Sequence, residues 1–195
     1  MILVAGCRST PSTPKADQDK YTFQVIGVEI PEKVNPYKTG EFSTIEEENK
    51  LLSHPDAEIV EYPIVIAGPG DTVVNDQTES ASFPEDYAIV DGKAVAKEKS
   101  LKLGYSVSVQ LTEVKNEIVK YHLNTYYKEL VGYDEHEIGD GITVKMPYFK
   151  SRRLDVDLSH KANTWIILGG LVDERSDGTK ISLMIAVRII PPLKK

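Results

Sequence analysis

Segment 101–111 alternates apolar and polar residues without interruption. Successive side chains of a β-strand point to opposite faces of a sheet, so this period of two fits a strand with one buried and one wet face. A helix instead places its apolar residues three and four positions apart. The chain must therefore contain at least one long, half-buried strand, whose apolar positions are Leu101, Leu103, Tyr105, Val107, Val109 and Leu111.

The residues on either side of this strand predict antiparallel hairpins. Asn116 favours a turn, and segment 118–131 then returns with apolar residues at alternate positions. Upstream, Asp91-Gly92 lies between two further strand-like segments. Because this dipeptide readily adopts the positive φ angles of a two-residue turn, it is a strong hairpin signal. The middle of the chain is thus predicted to be a series of hairpins.

The C-terminal part of the chain contains three further apolar patterns. Residues 154–158 and 181–189 alternate, and residues 164–172 form an apolar run that contains Gly169-Gly170. The run predicts a strand covered on both faces, and its glycine pair predicts the close approach of another backbone. We predict that these three strands form a β-meander.

The N-terminal half predicts shorter strands. In residues 21–30 the apolar parity changes around Gly27, and a slip of one residue indicates a β-bulge. Residues 57–67 predict a strand that Pro63 interrupts at an edge or a bulge, because proline cannot donate to the ladder. Segments 83–87 and 132–141 are predicted to be loops.

One short helix is predicted near residues 43–53. Ser43-Thr44-Ile45-Glu46 has the pattern of a capping box, in which the serine and the glutamate satisfy each other's backbone amides. Pro55 ends the segment, because the residue before a proline disfavours helical angles. The predicted fold class is therefore mainly β, an antiparallel arrangement of meander and hairpins with one short helix.

The composition argues against several function classes. The chain has 195 residues and a net charge of −7, and no basic stretch with interleaved aromatic residues occurs in it. Nucleic acid is therefore not expected as a partner. The single cysteine excludes an internal disulfide. Ten tyrosines against four phenylalanines suit half-buried strands whose hydroxyl groups reach water.

No constellation in the sequence carries catalytic or metal-binding chemistry. The segment 134–137 offers several oxygen and nitrogen ligands, but from one loop without the second arm that such sites need. No nucleophile elbow occurs, and Gly68-Pro69-Gly70 lacks the Lys-Ser or Lys-Thr of a phosphate loop. We therefore expect no enzyme, no cofactor and no metal. The histidines, none of them in a metal-ligand spacing, are His54, His122, His136 and His160.

Several of these segments together resemble a known family. The order of motifs over 146–171 is similar to that in the C-terminal core of the bacterial secretins. The motifs are Met146-Pro147-Tyr148-Phe149, then Arg152, an alternating strand, and Asn163-Thr164 running into Gly169-Gly170-Leu171. Leu103-Gly104-Tyr105 resembles the strand that opens the channel-wall domain of that family. The structural motif residues that the resemblance implies are Pro147, Phe149, Arg152, Thr164, Gly169, Gly170 and Leu171.

The secretin resemblance implies a function in the bacterial envelope. Secretins are ring-forming outer-membrane channels of secretion, pilus and phage-export systems, so the expected partners are further copies of the chain and other envelope or secretion proteins. Arg152 and Arg153, which lie beside Asp155 and Asp157, are expected to form surface or inter-subunit ion pairs. The loop 173–180 is polar where the family usually carries an apolar segment, which favours another route to the membrane.

The N-terminus suggests such a route. Residues 1–7 end in Ala-Gly-Cys and resemble the end of a lipoprotein signal, in which Cys7 becomes the lipidated first residue. The alternative is that Cys7 is an ordinary thiol near a frayed end. The expected organisation is a clipped lipoprotein signal and flexible tether over 1–20, followed by a secretin-like β domain over 21–195.

Three functions remain open at this point. The first is a lipid-anchored, secretin-like subunit of an outer-membrane-associated ring or channel in protein secretion, attached on the periplasmic side through a lipid on Cys7. The second is a monomeric periplasmic lipoprotein that acts as a structural adaptor. The third is a small β-rich hydrolase or ligand binder. The size of the particle in solution separates the first two.

Overall fold

The computed structural model of the chain describes residues 19–35, 42–43, 53–138, 141–174 and 178–193. Within these ranges the protein consists of β-strands and a single 3-10 turn, Glu32–Val34. The predicted mainly β fold class is confirmed. The strands are β1 Tyr21–Pro31, β2 Phe42–Ser43, β3 Glu58–Glu61, β4 Val65–Ala67, β5 Thr72–Val90, β6 Lys93–Lys115, β7 Ile118–Glu137, β8 Thr143–Lys161, β9 Trp165–Glu174 and β10 Lys180–Ile190.

The strands form two antiparallel sheets. The first sheet has the order β2-β9-β10-β1-β3, and β4 also pairs with β1. The predicted interruption at Pro63 is confirmed, since β3 and β4 lie on either side of it and both pair with β1. No helix in the described part of the chain is long and apolar enough to cross a bilayer.

The second sheet has the order β5-β6-β7-β8, which follows the chain. Its hairpins turn where the sequence predicts. Asp91 and Gly92 have φ angles of 50° and 71°, and Asn116 and Glu117 have φ angles of 51° and 66°. Positive φ at both central residues matches the right-handed twist of the flanking strands, so these turns fix the register of both hairpins.

The two sheets pack face to face over one core. The alternating residues of β6 and β7 point inward, and side chains from β1 and β10 cover them. Phe23 of β1 contacts Tyr121 of β7 with ring centroids 5.1 Å apart. The fully buried residues of this interface include Phe23, Val107, Val109, Leu111, Val119, Leu123, Val187 and Ile189, each with 0% exposure.

The predicted β-meander of the C-terminal strands is wrong in one respect. β8 pairs with β7 in the second sheet, whereas β9 and β10 pair with each other in the first. The chain changes sheets at Asn163, whose φ is 64° and whose amide donates to the carbonyl of Ile189 at 2.7 Å. The crossing has a physical reason. The apolar face of β8 is buried only if another sheet packs against it, and β9 and β10 are strands of that other sheet.

Two further predictions about strand shape are corrected. No bulge occurs at Gly27, since β1 pairs with β10 without a break from Thr22↔Ile190 to Pro31↔Ile181. The apolar parity changes because β1 is central and both its faces are covered: Val28 and Ile30 pack in a second cluster on the far face. Strand periodicity alone cannot distinguish a bulge from a strand buried on both sides.

The loops predicted at 83–87 and 132–141 are largely strand. β5 continues through Pro84 and β7 continues to Glu137. Each strand contains a register shift instead, between Pro84 and Asp86 in β5 and between Leu130 and Gly132 in β7. The predicted helix near 43–53 falls mostly outside the described residues, and Ser43 itself lies in β2.

Candidate assembly surface

The far end of the second sheet splits into two ribbons. β6 and β7 pair from Lys115↔Ile118 up to Gly104↔Lys128 and no further in the described residues. Beyond that level, β5 and β6 form a ribbon over 79–103, and β7 and β8 form a ribbon over 129–137 and 143–150. We name these segments the first arm and the second arm.

Gly104 lies where the two arms separate. Its φ is +111°, and a Cβ at this position would lie 2.4 Å from the carbonyl oxygen of Gln77 on the neighbouring strand. Any other residue would therefore suffer both backbone strain and a collision with a paired strand. The glycine permits β6 to leave β7 without losing its ladder to β5.

Gly104→Ala is expected to lower the free energy of unfolding by about 2 kcal/mol more than Gly92→Ala, because the backbone angle costs both variants about 1–3 kcal/mol but only the Cβ at 104 collides with the carbonyl of Gln77. Urea denaturation measures the change. Gly92→Ala is the matched control, since Gly92 also has a positive φ but a Cβ added there would have no neighbouring atom within 4 Å. Equal losses for both variants would contradict the role of the close approach at Gly104.

The arms touch each other through β5 and β8. The rings of Phe83 and Phe149 lie edge to face with centroids 5.0 Å apart. The hydroxyl of Tyr87 donates to the carbonyl of Lys145 at 3.0 Å. Neither contact is a pairing of two backbones, and no ladder joins β5 to β8 among the described residues. Both strands therefore keep an open backbone edge.

Large apolar side chains on the arms are exposed to solvent. A two-stranded ribbon is marginally stable by itself, and exposed apolar clusters commonly mark interaction surfaces. The arms therefore have the character of a surface that another polypeptide covers. The residues, between 44% and 51% exposed, are Ile89, Val90 and Val95 in the first arm and Val131, Tyr133 and Tyr148 in the second.

A buried ion cluster fastens the second arm to the first sheet. Glu29 of β1 is 2% exposed and forms ion pairs with Arg152 and Lys150 of β8, whose side chains are 8% and 26% exposed. Burial by itself would raise the pKa of Glu29, but hydrogen bonds from Lys150 and Arg152 outweigh burial and hold its pKa below the usual range. The carboxylate therefore stays charged between the sheets.

The Arg152 guanidinium packs on one ring of a row of three tyrosines. Its carbon lies 5.6 Å from the centroid of the Tyr127 ring, close enough for a cation–π contact. Tyr127 stacks on Tyr105 at 4.9 Å, and Tyr105 meets Tyr62 edge to face at 5.8 Å. Burial raises the pKa of Tyr62 to about 12, so its hydroxyl stays neutral beside these charges.

Comparison with known proteins shows which solved structures share this fold. No family model and no curated protein matches the sequence. Solved structures match the fold. The type II secretion system secretin GspD of Escherichia coli K12 aligns with a TM-score of 0.50 at 10% identity, covering 91% of this chain and 51% of that one. Aeromonas hydrophila ExeD aligns with a TM-score of 0.52 at 11% identity, covering 91% and 49%.

The fold is secretin-like. The chain spans about half the length of each of these two structures. At 10% and 11% identity the likeness concerns the path of the backbone and not particular side chains. The expectation that the sequence resemblance raised about the fold is therefore confirmed.

Arg152 and Phe149 lie at the root of the second arm. Arg152 is buried against Glu29, so the expectation of a surface or inter-subunit ion pair is wrong for this residue. Arg153 does lie at the surface, 70% exposed and 3.7 Å from Asp155. Phe149 contacts Phe83, and the Lys128 ammonium lies over the Phe149 ring, 4.7 Å from its centroid. Both residues therefore join the second arm to other parts of the molecule.

The glycine pair lies at a bulge of the secretin-like fold. Leu171 of β9 pairs with Leu183, and Leu168 pairs with Ile185, so Gly169 and Gly170 together lie opposite a single residue of β10. Glycine is common at such irregularities because it accepts unusual backbone angles.

The other motif residues lie in turns or ladders. The hydroxyl of Thr164 donates to the carbonyl of Lys161 at 2.6 Å, which fixes the turn before β9. Pro147 lies in β8 opposite Tyr133. Cys7 lies outside the described residues, so lipidation at this position stays a prediction.

The sequence interpretation missed Glu29. A signal was present, since a single carboxylate interrupts the apolar stretch Val28-Glu29-Ile30. A charge in a strand covered on both faces requires a buried partner, because an unpaired buried charge is strongly unfavourable. The identity of that partner, more than a hundred residues away along the chain, could not be inferred from the pattern.

The histidines have separate environments. His122 lies between Asp155 and Asp157, with each ring nitrogen 3.0 Å from a carboxylate oxygen. His160 is buried, and its Nδ1 lies 3.2 Å from the hydroxyl of Tyr121. In the described ranges no group of three or more His, Cys, Asp or Glu side chains is arranged to hold a metal ion.

Proposed function

We propose that the protein is a subunit of an outer-membrane-associated ring that serves protein secretion or export, and that copies join by pairing β5 of one with β8 of the next. The observation that carries the proposal is the pair of open edges in the second sheet. β5 and β8 are each 19 residues long and lie at opposite ends of the strand order. Long unpaired edges favour strand addition, and closing a ring removes both.

The two edges have opposite charge. β5 contains four acidic residues and no basic one, and two of them, Asp76 and Glu85, are paired with lysines of β6. β8 contains five Lys or Arg residues and two Asp, and two of its cations, Lys150 and Arg152, are paired with the buried Glu29. A contact between two different surfaces that complement each other generates a ring when the rotation closes. Charge complementarity gives this contact its direction, because β5 beside β5 or β8 beside β8 would place like charges together.

β5 and β8 also touch each other within one chain. Phe83 of β5 meets the Phe149 ring of β8, and the Tyr87 hydroxyl occupies one backbone carbonyl of β8, that of Lys145, while no backbone ladder forms between the two edges in the described residues. Pairing with a neighbour would satisfy the backbone groups of these edges, which gives assembly an advantage over the isolated subunit. This role requires no catalysis and no cofactor.

A lipid on Cys7 completes the proposal as the attachment to the membrane. Each buried CH₂ of an acyl chain contributes about 0.8 kcal/mol, so two or more chains anchor a protein without a spanning segment. The protein would then lie on the periplasmic side of the outer membrane, where other envelope or secretion proteins are its partners.

Light scattering of the full chain in mild detergent tests the ring. Assembly predicts a particle many times heavier than the 21.7 kDa subunit. A species of 21.7 kDa at all concentrations would contradict the ring and favour a monomeric adaptor lipoprotein. Mass spectrometry of protein purified from its native membrane tests the anchor, with Cys7→Ser as the unmodified control. An unmodified Cys7 in native material would remove the anchor from the account.

A further inference from the structure

We propose that, in the ring, the tip of the first arm of one copy docks into an acidic cleft on the next copy. This inference rests on the proposed function and adds a second contact to the pairing of β5 with β8. Two features of the described part of the chain carry it: a cleft whose exposed carboxylates lack cations, and a ribbon tip with exposed valines and lysines that form no ion pair.

The cleft lies between the second arm and the far end of the β9–β10 hairpin. Its volume is about 570 Å³, and apolar groups of Val131, Tyr148 and Leu183 line it. Asp134 also lines it from the second arm, and Asp173 and Glu174 line it from β9. The cleft therefore presents negative charge beside apolar walls.

The three exposed carboxylates of the cleft have no cationic partner in the described ranges. Asp173 accepts a hydrogen bond from the backbone amide of Glu174 at 2.9 Å, and no ion pair within those ranges involves Asp134, Asp173 or Glu174. Lys150, the cation that lines the cleft, is already paired with the buried Glu29. A cationic and partly apolar partner would satisfy both parts of the surface.

The tip of the first arm has the complementary chemistry. Val90 pairs across the hairpin with Lys93, and Val95 and Lys97 follow at alternate positions, so all four side chains share one face, on which Asp86 lies opposite Lys97. Val90 is 51% and Val95 is 50% exposed. Neither Lys93 nor Lys97 forms an ion pair with another described residue, in contrast to Lys99 and Lys102 further along β6.

A second copy of this chain is the occupant that this complementarity favours. The chain as a whole is acidic, with a net charge of −7, so a face with two valines and two lysines against the single Asp86 is an exception that favours an acidic counterpart. Cleft and tip are different surfaces on different arms, which is the arrangement that propagates around a ring. Opposite charges on such surfaces also select the correct neighbour during assembly.

Charge reversal tests the contact in the full chain. Lys93→Glu with Lys97→Glu, and separately Asp134→Lys with Asp173→Lys, are each expected to raise about tenfold the concentration at which half the chains assemble, because like charges then face each other. Combining all four substitutions is expected to restore assembly. Lys115→Glu, at the opposite end of β6, is the matched control and should leave assembly unchanged.

Sedimentation velocity measures assembly, and thermal melting confirms that each variant is folded. Normal rings from both reversed variants, or no recovery in the fourfold variant, would overturn the docking of tip and cleft while leaving the proposed ring intact. A wild-type chain that never assembles would overturn the proposed function itself. Binding of the tip face to an unrelated envelope protein, with rings unaffected, would likewise count against the second copy as occupant.

Discussion

Glu29→Gln is expected to lower the free energy of unfolding by about 3–5 kcal/mol, because breaking a buried ion pair leaves an uncompensated charge between the sheets. The Arg152 side chain is 8% exposed and would lose its carboxylate partner while it stays packed on the Tyr127 ring. Urea denaturation of the wild type and the variant measures the difference.

Two controls separate the ion pair from a general effect of substitution. Glu135→Gln removes a carboxylate that lies 3.7 Å from Lys145 at the surface, and we expect a change below about 1 kcal/mol there. Glu29→Leu combined with Arg152→Met should recover much of the lost stability, since apolar residues of similar size can replace a buried pair. A loss at Glu29 no larger than that at Glu135 would show that the cluster does not hold the arm.

The charge on Glu29 also fixes the direction of its pH dependence. Its pKa is lower in the folded protein than in the unfolded chain, so its contribution is fully present above the unfolded pKa and is lost as the pH falls through the folded pKa. We expect the difference between wild type and Glu29→Gln to shrink below about pH 4, near the ordinary pKa of glutamate. A difference that stays constant down to about pH 2 would contradict this assignment.

Acidification from about pH 6.5 to pH 4 is expected to cost about 3 kcal/mol of stability through His160. Burial lowers the pKa of His160 from 6.5 to about 4 in the folded protein. The unfolded chain therefore takes up a proton at a pH where the folded protein does not. The contribution is complete above the unfolded pKa and is lost progressively as the pH falls towards about 4.

His160→Gln tests this origin of the pH dependence. The variant should show a nearly flat stability between about pH 6.5 and 4. Tyr121→Phe is the control, because it removes the hydroxyl that contacts His160 and keeps the histidine. This variant should change the stability without changing the slope of stability against pH. An unchanged slope in His160→Gln would assign the effect to other groups.

Local signals predicted much of this fold. The Asp91-Gly92 and Asn116 turns have the angles that their residue types favour, and between them the alternation in β6 fixes the buried face. Such signals depend on neighbours in the sequence. The parts that could not be predicted depend on distant contacts: the pairing of β1 with β10 and the crossing of the chain between sheets at Asn163 join residues that are far apart in the sequence.

The candidate surface was only partly predictable for the same reason. The secretin-like sequence motifs around Arg152 and Gly169-Gly170 indicated the region of the candidate surface. The partner of Arg152, however, is Glu29 near the other end of the chain. The sequence did not predict the second arm, because Gly132 and the acidic residues after it suggest a loop. Gly132 instead makes room for the Tyr148 ring, whose Cε1 would lie 2.9 Å from an added Cβ.

Cysteine cross-linking between copies tests most directly whether β5 of one subunit pairs with β8 of the next. In a Cys7→Ser chain, Ser80→Cys in β5 would be combined in turn with Ser151→Cys, Arg153→Cys or Asp155→Cys in β8, and the oxidised samples resolved on denaturing gels. Pairing predicts a ladder of covalent dimers, trimers and larger multimers for at least one combination. A chain with a single cysteine can form no covalent species larger than a dimer. Monomers alone in every combination, together with a solution mass of 21.7 kDa, would contradict the account.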